Sequence, residues 1–306
     1  MFLGVEIGGT KLQVVAAGAG GDIARRWRAN VRPEFGGRAI CDQIAEGIAE
    51  ICRADPAEKI RSAGVGFGGP IDIATGTIRK SHQIPGWENF PLRDWLADLI
   101  AAPVAVDNDA NVAAFGEARR GAGAGFDPVF YVTMGSGVGG GMVAGGRIYH
   151  GMPPGESEFG HVRLDRDGAI VESRCSGWAV DARIRALGKA EPDSLLARSI
   201  YGATGCEARF LAPALAAGDA AASRLLREIA DDLAFALSHV IHLMHPRVIV
   251  LGGGLSLVGE PLRLAVETAL PPFVMKAFWP PPEVRLAGLG EDAVPAGAIE
   301  LAKMLV

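Results

Sequence analysis

Cysteine is scarce in this sequence: four among 306 residues, Cys41, Cys52, Cys175 and Cys206, with no CxC or CxxC spacing. That pattern gives no disulfide framework and fits free thiols in a reducing compartment. No apolar run reaches the roughly 18 residues of a membrane span. The opening, Met1-Phe2-Leu3-Gly4-Val5-Glu6, lacks a basic n-region and meets an acid too early for a signal peptide. Basic residues are in deficit, 30 against 35 acids, and a formal charge of -5 argues against a general nucleic-acid or anionic-membrane surface. No GK[ST] occurs anywhere, which removes a Walker A phosphate loop, and no repeat period suggests a solenoid. The expectation is a cytoplasmic globular protein with no membrane or nucleic-acid partner. At about 150 residues per domain its length suits two domains.

Glycine, by contrast, is in surplus. The chain holds 42, close to double the roughly 7% average usage, yet 49% of its residues are hydrophobic, so this is not a low-complexity chain. Residues 121–160 carry 13 of them, and others cluster at Gly8-Gly9, at Gly64 to Gly69 and at Gly252-Gly253-Gly254. Clustered glycine marks positive-φ turns or backbone that must approach something closely.

Around these clusters the hydrophobic pattern predicts strands over 2–6 and 12–17, joined at the tip Ile7-Gly8-Gly9-Thr10-Lys11. It predicts a helix over 38–54, with Ile40, Ile44, Ile48 and Ile51 on one stripe and the Cys41 and Cys52 thiols beside it in the core. Short strands follow at 62–66 and 104–106, and a helix at 112–120. Strands at 129–133 and 141–144 flank a glycine loop. A long helix over 222–245 repeats Leu225, Ile229, Leu233, Leu237, Val240 and Met244 before Pro246 ends it. A buried strand at 248–251 and a last helix at 295–306 complete the pattern. Residues 188–222 give no clear signal, and Cys206 there is taken as a buried thiol. Strand hairpins mixed with helices indicate an α/β protein with two sheets, its boundary near residue 118.

Two stretches match GxGxxG literally, Gly64 to Gly69 and Gly135 to Gly140. A dinucleotide fingerprint must open a helix, and both run on into strand or turn, so neither is read as one. The glycine tips at Gly8 to Lys11 and Gly135 to Gly139 offer backbone N–H groups and hydroxyls (Thr10, and Thr133 or Ser136) to an anion, with the Lys11 ammonium beside the first. A tight hairpin explains either tip alone; two facing each other would hold a polyphosphate. In Asp107-Asn108-Asp109-Ala110-Asn111 the residues leave two readings open. One is an N-cap with dipole-compensating acids; the other is a general base kept ionised at a positive helix end. Glu156, Glu158 and His161 follow Gly151 and Gly155, and Glu172 comes next. Glu158 and His161, three apart, are suited to neighbouring hydroxyls of a small polyol, and a single His without nearby partners suits hydrogen bonding better than a metal.

Taken in order, these motifs resemble the ROK family of sugar kinases and repressors within the actin-like ATPase superfamily. The residues that carry the resemblance are Glu6-Ile7-Gly8-Gly9-Thr10-Lys11, Gly69-Pro70, Asn108-Asp109-Ala110-Asn111, Thr133 to Gly141, Glu158-Phe159-Gly160-His161 and Leu251-Gly252-Gly253-Gly254. The resemblance implies two actin-like, ribonuclease H-like domains, 1–118 and 119–294, around a nucleotide and sugar cleft, with the 295–306 helix packing back on the first. It implies an ATP-dependent hexose kinase using Mg2+, as a homodimer. Asp109 would be the general base. Asn108, Glu158, His161, Glu172 and Gly69 would bind the sugar. Gly8, Gly9, Thr10, Lys11, Thr133, Gly135, Ser136 and Gly137 would hold the phosphates, and Gly252, Gly253 and Gly254 would pass under the adenosine.

Three departures qualify it. The His and CxCGxxGC zinc motif of the family is missing, so no zinc is expected and Glu172 is aligned with the acid closing that motif. Glu6 stands where the family usually has Asp, one methylene longer, as the carboxylate for Mg2+ or its waters. The chain opens directly on the first strand, which leaves no room for a repressor's winged helix. A sugar-sensing, non-catalytic protein on the same fold is the rival reading.

Overall fold

A computed structural model describes residues 1–32, 35–79, 86–152, 157–203 and 205–306. Its strands in chain order are β1 (Phe2–Ile7), β2 (Lys11–Ala17), β3 (Ile23–Asn30), β4 (Ser62–Phe67), β5 (Ile71–Asp72), β6 (Thr77–Ile78), β7 (Val104–Asn108), β8 (Val129–Met134), β9 (Val138–Ala144), β10 (Arg147–Ile148), β11 (Val248–Gly252) and β12 (Glu283–Leu286). The α-helices are α1 (Gly36–Ala54), α2 (Leu92–Ile100), α3 (Asp109–Arg120), α4 (Val171–Cys175), α5 (Gly177–Ala190), α6 (Leu195–Ser199), α7 (Leu211–Ala216), α8 (Ala220–Met244), α9 (Glu260–Ala269) and α10 (Ala293–Lys303). Two five-stranded sheets run in the orders β3-β2-β1-β4-β7 and β10-β9-β8-β11-β12, the mixed α/β architecture expected from the sequence. Among the described residues no helix is long and apolar enough to cross a membrane.

Contacts divide the chain into two compact units: residues 1–125, 141–157 and 291–306 form one, and 126–140 and 158–290 the other. The division falls inside β9. In the first unit β1 pairs antiparallel with β2 and parallel with β4, which pairs parallel with β7. Leu3, Val5 and Ile7 of β1 join Ile40, Ile44 and Ile48 of α1 in one core, while Phe2 joins Ile299 and Ala302 of α10 in another. Alternate side chains of one strand thus feed two layers, which is why β1 is buried along its whole length. The 295–306 segment begins its helix at Ala293 and packs on α3, β4 and β1.

In the second unit β11 pairs parallel with both β8 and β12, and every residue of β11 is buried. Phe130 of β8 meets Phe159 edge-on at 5.6 Å. The 222–245 stripe forms α8, capped by Asp219, whose carboxylate accepts from the amides of Ala221 and Ala222. The stretch 188–222 resolves into the end of α5, then α6, a short turn at 207–210 and α7. Cys206 is a correction: it is exposed, not buried, and sits at φ +57° at the head of that turn. Cys206 lies in the connection ahead of that turn, and connecting segments run over the surface.

Candidate functional site

Glycine-tipped loops and acid residues occur in both units, and each set is built locally. In the first unit the β1–β2 hairpin closes at Ile7 opposite Leu12. The Gly8 amide donates to the Lys11 carbonyl at 2.9 Å, so this N–H closes the turn and does not face a ligand. Among the described residues nothing accepts from the amides of Gly9 or Thr10, which remain as the donors of this tip. The Lys11 ammonium lies 3.3 Å from Glu6 Oε1, and Gln13 Nε2 donates to Glu6 Oε2 at 2.5 Å. Burial raises the pKa of the Glu6 carboxyl, and the Lys11 charge works against that rise.

The strand β7 runs straight into α3. Asn108 is the N-cap, its Oδ1 accepting from the amides of Ala110 (2.9 Å) and Asn111 (3.4 Å). The two readings of this acid cluster therefore separate: Asn108 caps the helix, and Asp109, the first helical residue, is left out of the capping bonds. Asp109 keeps a partial opening to solvent, but its carboxyl is largely dehydrated, and that desolvation pushes its pKa up to about 6. A backbone hydrogen bond from Ala110 opposes the rise, and the charge of Glu6 adds to it.

Sequence reasoning missed three residues of these arrangements: Gly68 beside Asp109, His150 beside Asp107 and Gln13 beside Glu6. A Cβ placed on Gly68 would stand 3.2 Å from Asp109 Oδ2, whereas one on Gly69 would meet the Phe67 ring at 2.9 Å. Gly68, then, is the glycine that gives Asp109 room. Buried Asp107 accepts from Asn111 Nδ2 at 3.0 Å and pairs with His150 Nε2 at 2.8 Å, tying the end of β7 to the segment after β10. Gln13 is the third. Its signal, a buried amide facing a strand of arginines, is visible only once strand register is known.

In the second unit the glycine loop between β8 and β9 turns tightly, the Gly135 amide donating to the Gly137 carbonyl at 2.9 Å. Val138, the first residue of β9, is where Glu172 and Gly160 meet. Its amide donates to Glu172 Oε2 at 2.9 Å, and a Cβ on Gly160 would strike its carbonyl oxygen at 2.2 Å. Glu172 thus braces the glycine loop with one of its carboxylate oxygens. A Cβ on Gly137 would lie 2.4 Å from Glu172 Oε2, so a side chain there would push that carboxylate aside. Glu158 and His161 flank the short turn over Phe159–His161, both exposed, with the His161 amide donating to the Glu158 carbonyl at 3.0 Å. Glu156 and Gly155 lie outside the described residues.

Beyond β11, Gly253 adopts φ +78°, and a Cβ there would fall 2.4 Å from the Met134 amide nitrogen. The β11 loop therefore lies on the backbone of the glycine loop. Together they border a cavity of about 630 Å³, lined by Gly135, Ser136, Trp178, Arg185, Gly254 and Leu257, among others, and by exposed Cys206. Of its polar groups, Asp181 accepts from the Ala208 amide at 2.7 Å and Arg185 pairs with Glu207 at 2.7 Å. Among the described residues no group of three or more His, Cys, Asp or Glu stands ready to hold a metal ion.

This combination of two α/β units, a glycine-tipped hairpin in each and an acid at a helix start defines an actin-like ATPase fold of the sugar-kinase type. The model of the ROK family matches residues 2–304, and the chain belongs to that family. It is 33% identical to a glucokinase of Halalkalibacterium halodurans over 95% of this chain and 92% of the relative. It is 31% identical to a glucokinase of Thermotoga maritima, covering 99% and 97%. Among solved structures it superposes on the ROK glucokinase of Streptomyces griseus in complex with glucose and AMPPNP, at 29% identity and a TM-score of 0.84, over 99% of both chains.

Proposed function

We propose that this protein is an ATP-dependent hexose kinase that transfers the γ-phosphoryl group to a sugar hydroxyl, the terminal one, with Asp109 as general base. The observation that carries this reading is Asp109 itself. Its carboxyl lies outside the capping bonds, has Gly68 beside it instead of a side chain, and has a pKa of about 6. Such a group is ionised at neutral pH yet basic enough to accept a proton as the acceptor oxygen attacks. Hydrogen bonds between the sugar hydroxyls and Asn108, Glu158, His161, Glu172 and the Gly69 backbone would orient the sugar, the two carboxylates accepting. The amides at Gly9, Thr10 and Gly135 to Gly137, with Lys11, would hold the phosphates. Phosphoryl transfer asks little more of a protein than such positioning and charge stabilisation.

Glu6 offers hard carboxylate oxygens beside the phosphate-binding tip, and Mg2+ is normally held by one or two carboxylates plus the nucleotide's phosphates. The residues fit the ion: Glu6 would hold it or its waters, and bound Mg2+ would neutralise charge on the transferring phosphate. The adenosine is assigned to the cavity bordered by the loops at Gly135 and Gly253. Trp178, 70% exposed at that cavity, would stack on the purine. Replacing it, Trp178→Ala, is expected to raise the KM for ATP about tenfold with kcat and the sugar KM nearly unchanged, the mark of uniform nucleotide binding. Steady-state kinetics varying ATP at saturating sugar checks this, and a KM for ATP equal to wild type would remove the base from this cavity.

The rival, a non-catalytic sugar-binding protein, draws support from Glu6 and from the missing zinc motif. Phosphorus NMR of the protein with ATP, Mg2+ and a hexose separates the two readings. A kinase yields a sugar monophosphate and ADP; a sensor leaves ATP intact while sugar still binds.

A further inference from the structure

Gln13 is fully buried on β2, directly opposite Glu6 on β1 and Arg28 on β3. Its Oε1 accepts from Arg26 Nη1 at 2.9 Å and from Arg28 Nε at 2.8 Å, and its Nε2 donates to Glu6 Oε2 at 2.5 Å. A guanidinium can only donate, so the two arginines fix which way the amide points: oxygen toward them, nitrogen toward Glu6. Both arginines are themselves anchored, Arg26 on Asp292 at 2.7 Å and Arg28 beside Glu291 at 3.6 Å. With Lys11 on the other oxygen, Glu6 has a cationic or amide partner on each side of its carboxylate.

We propose that Gln13 is a positioning residue for Glu6, the end of an Arg26/Arg28–Gln13 relay that holds this longer acid in one orientation next to the phosphate-binding tip. The proposal rests on the kinase reading above, because it supplies the reason for aiming Glu6. Three side-chain torsions separate a glutamate carboxylate from its backbone, and an unheld one samples many rotamers. The relay removes that freedom without placing a second fixed charge against Glu6, because the amide passes on only the direction of the arginines.

The test is Gln13→Glu. The new carboxylate still accepts from Arg26 and Arg28, so the fold is retained, but Glu6 faces an acceptor and loses its donor. Expected are a kcat about 10- to 100-fold lower and a sugar KM within about twofold of wild type, as for a small misplacement of an essential group. Calorimetry with Mg2+-AMPPNP against metal-free AMPPNP supplies a readout apart from turnover: the preference for the metal complex falls about tenfold. In the double variant Glu6→Gln, Gln13→Glu the hydrogen bond returns with its polarity reversed. Thermal stability recovers there, but neither turnover nor the metal preference does. A purely structural role for Gln13 predicts the opposite, turnover following stability in both variants. Wild-type kcat and metal preference in Gln13→Glu, or turnover restored in the double variant, overturns the proposal while leaving the kinase reading intact. A wild type that transfers no phosphate overturns both.

Discussion

Asp109→Asn is expected to lower kcat by about 10²- to 10⁴-fold, the range lost with a positioned general base, while the sugar KM changes little. The same substitution is expected to stabilise the fold. Asp109 has a pKa raised from 3.8 to about 6, so between those values the folded state holds a proton that the unfolded state releases. Its contribution is therefore most favourable below about pH 4 and is lost as pH rises through about 6; near pH 7 its ionised carboxylate destabilises the fold by about 2 kcal/mol, allowing for its partial exposure. Asn removes that penalty. Thermal unfolding of the pair at pH 8 and at pH 4 checks the sign: the variant melts higher at pH 8, and the difference shrinks at pH 4. An Asn variant less stable than wild type at pH 8 would show that the acid has a structural role, as a helix-dipole partner, instead of a catalytic one.

The second large effect is predicted where two helices meet. A Cβ on Gly297 of α10 would stand 1.8 Å from the Val112 carbonyl oxygen and 3.0 Å from the Gly116 amide nitrogen of α3. Gly116 returns the contact, since its own Cβ would lie 2.3 Å from the Ala293 carbonyl oxygen. The two helices meet backbone to backbone, and no flexible side chain stands there to yield. Gly297→Ala is thus expected to lose about 3 kcal/mol or more, because relief requires moving a helix that also packs on β4 and β1. The strain would also reach the proposed base, as α3 carries Asp109 on its first turn. Urea unfolding followed by tryptophan fluorescence measures the loss. Gly18→Ala, where a Cβ meets nothing within 4 Å, serves as the control and should change stability by about 0.5 kcal/mol at most. Equal midpoints for the two variants would mean that α10 and α3 do not touch as described.

Much of this was legible in the chain where one residue's pattern decides the outcome. The apolar steps of α8, the isoleucine stripe of α1 and the Asp107-to-Asn111 run after β7 all point to the elements the fold contains. β3 was not legible, because it is an edge strand in which Arg25, Arg26 and Arg28 interrupt the apolar alternation that marks a half-buried strand. Its Trp27 packs against α1 where Gly47 leaves room, a fit that depends on register. The candidate site residues showed the same limit. Asn108, Asp109, Glu158, His161 and the glycine loops are local motifs. Gln13, Gly68 and His150 matter through neighbours brought from other strands or segments. Even the surplus glycines divide this way: those at turns announce themselves in sequence, whereas Gly116 and Gly297 sit inside helices and explain themselves only by what they touch.

Hexose-dependent release of ADP is the most direct test of the account. Wild-type protein and Asp109→Asn would be supplied with ATP and Mg2+ and assayed across glucose, mannose, fructose and N-acetylhexosamines. Wild type is expected to turn over with at least one of these sugars, above the rate of ATP hydrolysis without sugar, and Asp109→Asn to lose that turnover. No sugar-dependent turnover in wild type, or equal rates in both proteins, would contradict it.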